Sequence, residues 1–125
     1  MGIKIRNFED LKVWKLSHGL KLHIYDFIKY LPESEKYNRT QQVVRAVSSI
    51  LANIAEGYGR YHYQENIQFC RQARGSLEET SDHIISARDL NQAPLDKCKE
   101  IENMCIELRK LINGYIRYLK EAKNA

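Results

Sequence analysis

The stretch RTQQVVRAVSSILANIAEGY, residues Arg39–Tyr58, decides how the rest of the chain is read. Val43, Val47, Ile50, Ile54 and Tyr58 recur three or four positions apart, the spacing that places side chains on one face of an α-helix. Val44, Leu51 and Ala55 widen that face to about half the circumference. Most of the remainder is small: Ser48, Ser49 and Ala52. Between Thr40 and Gly59 only Arg45 and Glu56 carry charge. Such a helix offers water little to hydrate. It predicts burial on more than one side, either deep in its own bundle or, the favoured reading, against another copy of the chain. Gly57 and Gly59 close it, as glycine does at a helix C-terminus.

Three further blocks have the same period. The first spans residues 8–31, with Leu11, Trp14, Leu20, Ile24, Phe27, Ile28 and Leu31 as its stripe, Asn7 as its cap and Pro32 as its stop. The second helix covers 39–58. A third spans 62–91, striped by Phe69, Ala73, Ser76, Leu77, Thr80, Ile84 and Ala87. Gly75 sits inside it at a cost of about 1 kcal/mol relative to Ala. Either another backbone approaches closely there or the glycine is exposed. The fourth spans 94–122, with Pro94 in its first turn and Leu95, Cys98, Ile101, Cys105, Leu108, Leu111 or Ile112, Tyr115 and Leu119 on its stripe. Four long helices with short connections predict an all-α fold: one domain over residues 1–125, an antiparallel up-down-up-down four-helix bundle.

Composition narrows the classes. Hydrophobic residues at 43% and charged residues at 29% suit a globular chain of 125 residues and argue against wholesale disorder. No uncharged apolar run approaches the roughly 18 residues needed to cross a bilayer. The opening MGIKIRNFED has no signal-like apolar stretch, so a cytoplasmic location is expected, with no membrane partner. Cys70, Cys98 and Cys105 cannot all pair within one chain and read as buried, reduced apolar residues. A di-iron bundle needs Glu-x-x-His pairs, and none exists: Glu79 and His83 are four apart, and His62 precedes Glu65. The four histidines read as surface or helix-end residues. Without GxGxxG or GxxxxGK no nucleotide phosphate is cradled, and Ser49 and Ser76 sit mid-helix among packing residues. No metal, cofactor or catalytic residue is expected, and the chain is expected not to be an enzyme.

Charge is the more informative feature. In an up-down bundle the start of helix one, the turn between helices two and three, and the end of helix four share one end. That end gathers Lys4, Arg6, Lys12, Lys15, Arg60, Arg71, Arg117, Lys120 and Lys123 against Glu9, Asp10, Glu56, Glu65 and Glu121. The opposite end is acidic. The basic end also carries Tyr58, Tyr61, Tyr63, Tyr115 and Tyr118, and GYGRYHY (57–63) interleaves rings with cations. Lys12, Arg60, Arg71, Arg117 and Lys120 are the expected phosphate contacts, with Tyr61 and Tyr63 as stacking residues. Copies arranged in a ring would repeat this patch and turn weak contacts into useful binding. A second constellation, Arg45, Asn53, Glu56 and Glu79, reads as a polar pin fixing helix register or a subunit contact, because a buried carboxylate needs hydrogen bonds.

The residues FEDLKVW (8–14), Pro32, Glu35, Gln42, Arg45-Ala46, Ser49-Ile50, NIAEG (53–57), Arg60, Glu65, Phe69, Ala73, GSL (75–77) and Glu79 resemble the 23S rRNA intervening-sequence protein family, bacterial four-helix-bundle proteins. At Tyr61-His62-Tyr63 the chain departs from that pattern, which often has Ser or Thr after the arginine. The resemblance implies a ring-like homopentamer and supplies no catalytic residues. It is also distantly similar to the accessory variability determinant proteins of diversity-generating retroelements, basic pentameric barrels that bind nucleic acid and a reverse transcriptase. Two functions are therefore expected in order: an oligomeric RNA- or DNA-binding scaffold, or an adaptor that presents a surface to a protein partner.

Overall fold

The computed structural model describes residues 4–125, and among these all regular structure is helical. Four helices account for most of it: α1 (Lys12–Phe27), α2 (Arg39–Gly59), α3 (Tyr63–Asp89) and α4 (Leu95–Asn124). One core draws on all four, with Leu20, Ile24, Val47, Ile50, Ile54, Leu77, Ile84 and Leu108 wholly buried. Side-chain pairs fix the register of α3 on α4. Arg74 donates to Asn113 at 2.8 Å, Arg109 to Glu78 at 2.6 Å and Arg88 to Glu102 at 2.6 Å. These pairs advance along α3 as they retreat along α4.

The first block, expected as one helix over 8–31, is three pieces. A 3-10 turn at Phe8–Asp10 precedes α1, and another at Ile28–Tyr30 follows it. Asn7 Oδ1 accepts the Glu9 amide at 2.8 Å, and Asp10 Oδ2 accepts the amides of Arg6 at 2.8 Å and Asn7 at 3.3 Å. This capping box satisfies the amides locally, so the chain leaves it extended at Leu11 before α1 starts. The same bonds, the Arg6 amide first, hold the Asp10 carboxyl below its ordinary pKa. Leu31 is extended, as a residue before proline prefers. The third block stops short of its expected end at 91. Asn91 takes a left-handed conformation (φ 55°), and the Gln92 amide donates to Ala87 O at 2.8 Å, a Schellman-type closure.

Of the two mid-chain glycines, Gly57 has a role other than the one expected, and Gly75 is the exposed glycine of its two alternatives. Gly57 lies inside α2 instead of closing it. A Cβ there would stand 2.7 Å from Asn66 Oδ1 and 2.8 Å from Phe69 Cβ, so only glycine lets α2 approach α3 this closely. At Gly75 a Cβ would meet nothing within 4 Å. Helix α2 sinks Val43, Ala46, Val47, Ile50, Leu51 and Ile54 into its own bundle. Gln41, Arg45, Ala52 and Glu56 remain open along its outer side.

Where α2 begins, a polar cluster closes the bundle. Arg39 donates to Gln92 Oε1 at 3.0 Å and to His83 Nδ1 at 3.1 Å, and its Nε lies 3.5 Å from Glu35 Oε2. Gln92 and Asn38 both donate to the Glu35 carboxylate, at 2.8 and 2.9 Å. His83 is thus not the surface residue expected. It is buried on α3, one helical turn past Thr80 and one before Ala87, and that spacing is the signal sequence reasoning missed. Burial, then the neighbouring Arg39 charge, pushes its pKa down.

Candidate nucleic-acid interface

At the opposite end, the last turns of α4 meet the first turns of α3. Gln64, Ile67 and Arg71 of α3 and Lys120, Lys123 and Asn124 of α4 line a notch of about 220 Å³. Each cation reaches it by helical repeat: residues 64, 67 and 71 share one side of α3, and 120, 123 and 124 share one side of α4. No carboxylate lines the notch. Lys123 Nζ donates to Gln64 Oε1 at 2.7 Å, a neutral partner that leaves its charge uncompensated. Arg71 and Lys120 have no ion pair among the described residues.

On the other side of the same helix ends lies a cleft of about 510 Å³. Tyr58 comes from α2, Tyr61 and His62 from the connection, Tyr63 and Asn66 from α3, and Tyr115, Tyr118 and Leu119 from α4; Leu11 and Ile5 complete it. Asn66 donates to the Tyr115 hydroxyl at 3.2 Å and fixes that ring. Burial raises the Tyr115 pKa to about 12, so its hydroxyl stays protonated. Tyr115 and Tyr118 are nearly parallel, 8° apart, with centroids separated by 6.3 Å. Tyr61 has φ 59° and is 86% exposed. The connection lacks the cap that Ser or Thr would give: His62 makes no side-chain bond to the start of α3, and only its carbonyl accepts, from Asn66 N at 2.9 Å.

The cations singled out from the sequence separate into three sets. Arg71 and Lys120 share the notch, with Lys123 beside them. Lys12 lines a groove between α1 and α4 with Lys110 and Gly114, and Arg117 Nη2 lies 3.7 Å from where a Cβ on Gly114 would stand. Arg60 stands apart from both. It pairs with Glu56 at 2.7 Å and Glu65 at 3.9 Å, and its guanidinium covers the Phe69 ring at 5.2 Å. Its charge is compensated, because the helical spacing that displays Arg60 also sets Glu56 one turn before it.

The second constellation is not one cluster within the chain. Arg45, Asn53 and Glu56 lie along the outer side of α2, and Glu79 lies on α3. Asn53 donates to Ser49 O at 2.9 Å and Ser49 Oγ at 3.1 Å, and Ser76 Oγ donates to Ser49 Oγ at 2.9 Å, so a polar link does join α2 to α3. Within one chain the Glu56 side chain is 54% exposed and held by Arg60. Glu79 sits 3.9 Å from His83 Nε2. Cys70 and Cys105 are buried, and that burial drives both thiols up to about 12, far from a nucleophile's range. No helix among the described residues is long and apolar enough to cross a membrane.

A four-helix protein with a cationic, tyrosine-rich end is the class that fold and surface define. The chain belongs to the 23S rRNA-intervening sequence protein family, whose model matches residues 9–114. No curated protein matches it. Among solved structures it is similar to a protein of unknown function from the S23 ribosomal protein family of Bacteroides thetaiotaomicron. The two are 23% identical with a TM-score of 0.77, and the match covers 83% of this chain and 97% of that one. At this identity the likeness speaks for the fold alone.

Proposed function

We propose that the chain is a non-enzymatic nucleic-acid-binding scaffold, RNA before DNA. In this reading an antiparallel up-down-up-down bundle assembles as a ring-like homo-oligomer in the cytoplasm, without metal or cofactor. The observation that carries it is the convergence of Arg71, Lys120 and Lys123 on one notch that no carboxylate lines. Cations held close together without acids attract phosphates, and the attraction falls steeply with salt. The family's name, which ties its members to 23S rRNA genes, favours RNA. For assembly the support is the outer side of α2, where the exposed Ala52 and half-buried Asn53 and Ala55 stand with only two charges, Arg45 and Glu56. A ring multiplies the weak affinity of each notch by avidity.

The test is a gel-shift titration at low and raised salt together with light scattering. The expected result is a salt-sensitive shift that R71E/K120E weakens at least tenfold, in a protein whose mass is several times 14.7 kDa. No shift at low salt overturns the binding reading, and a monomeric mass overturns the ring. A protein partner whose capture survives nuclease treatment would put the adaptor in its place.

A further inference from the structure

The notch accounts for phosphates; the tyrosine cleft beside it needs a different occupant. We propose that the cleft takes one unpaired nucleobase from a strand whose phosphates lie against Arg71, Lys120 and Lys123. This rests on the nucleic-acid reading above and adds that the protein distinguishes unpaired from paired strands.

Three observations lead there. The first is place. Tyr63 adjoins Gln64 and Leu119 adjoins Lys120, so cleft and notch are two sides of the same pair of helix ends. A strand crossing those ends meets cations on one side and rings on the other. The second is lining. Five tyrosines and His62 surround a volume of about 510 Å³, inside the range of about 300–1,000 Å³ typical of small-ligand sites. No carboxylate lines it, so nothing there repels an anionic chain. Every base offers a π-face, whereas a duplex keeps those faces covered by neighbouring bases.

The third is presentation. Tyr61 stands in a left-handed conformation that bulky residues avoid, and this holds its ring 86% exposed at the rim. Tyr118 is 61% exposed yet already aligned with Tyr115, whose hydroxyl Asn66 holds. The Tyr115–Tyr118 pair is thus set in advance, so a base that enters against it costs little reordering.

Fluorescence anisotropy with three labelled RNA probes of equal length tests this: a single strand, a duplex, and an abasic single strand with the same backbone. The single strand should bind about tenfold tighter than the other two. Y61G and Y118A should each weaken the single strand about five- to tenfold and leave the duplex unchanged. Y61G should not lower the melting temperature, since glycine accepts φ 59° without strain. R71E/K120E should weaken all three probes alike. Equal binding of base-bearing and abasic strands, or single-strand affinity indifferent to Y61G and Y118A, overturns the base site and leaves the phosphate reading standing. Absence of binding to every probe at low salt overturns both.

Discussion

Where α2 begins, Arg39 is shared among Glu35, Gln92 and His83, and Glu35 also accepts from Asn38. Where α4 stops, Arg71 and Lys120 face a notch with no carboxylate, and Tyr61, Tyr63 and Tyr118 hold their rings toward water. Both ends are built from charged and polar residues at helix termini. One spends its hydrogen-bonding capacity on itself, which fixes the connections between helices. The other leaves charge and aromatic surface unused, which does nothing for the fold and leaves them free for a ligand. The difference teaches that net charge at a helix end says little until its partners are known. Arg60 makes the point within the basic end, since Glu56 and Glu65 already occupy it.

That contrast can be broken most forcefully at the closed end. R39A strips a mostly buried cation from three partners and should cost about 3 kcal/mol of stability, read by urea denaturation, with RNA affinity at the far end unchanged. A cost under about 0.5 kcal/mol would show that the cluster does not hold the connections together. At the open end, G57A places a methyl against Asn66 and Phe69 and should cost about 2 kcal/mol. G75A, with open space around it, should instead gain about 0.5–1 kcal/mol in a monomer. A loss of assembled mass on making G75A would place another chain against that position.

K120E alone should leave stability within about 0.5 kcal/mol, because it removes no contact of the fold, while flattening the salt dependence of binding. A fall in melting temperature with binding intact would reverse the roles assigned to the two ends. The smallest effect concerns pH. His83 has a folded pKa below its ordinary value of 6.5, so the unfolded chain takes up the proton first as pH falls. Stability should therefore be complete above about pH 6.5 and decline below it. H83N retains an acceptor for Arg39 and removes the titration. The melting curve of H83N should be flatter between pH 7 and pH 6 than that of the parent protein, and an equal slope would assign the decline to other groups.

Much of the fold was legible in the sequence. Val43, Val47, Ile50 and Ile54 read as one buried stripe and are one, because a repeat of 3.6 residues is visible in a single chain. The breaks around α1 were harder to read, since the Asn7–Asp10 capping box competes with helix continuation without any Pro or Gly to announce it. His83 was hidden because its type suggests surface, although its spacing from Thr80 and Ala87 placed it inward. Of the candidate site, the gathering of cations and tyrosines at one end followed from helix order. The separation of cleft from notch, and of both from Arg60, did not.

On α3 the sequence missed His83 and on α4 it placed the exposed Leu95 inward, but taken alone it determined the number of helices, the stripe that α2 buries and the basic character of one end. These follow from local spacing and from charge, and both are properties of residues close together in the chain. Only the tertiary structure decided which charges are already compensated and which glycine is needed for close packing. It alone also set which tyrosines border a common cavity. Those depend on distances between residues far apart in the chain, such as Asn66 to Tyr115 or Arg39 to His83, that no periodicity encodes.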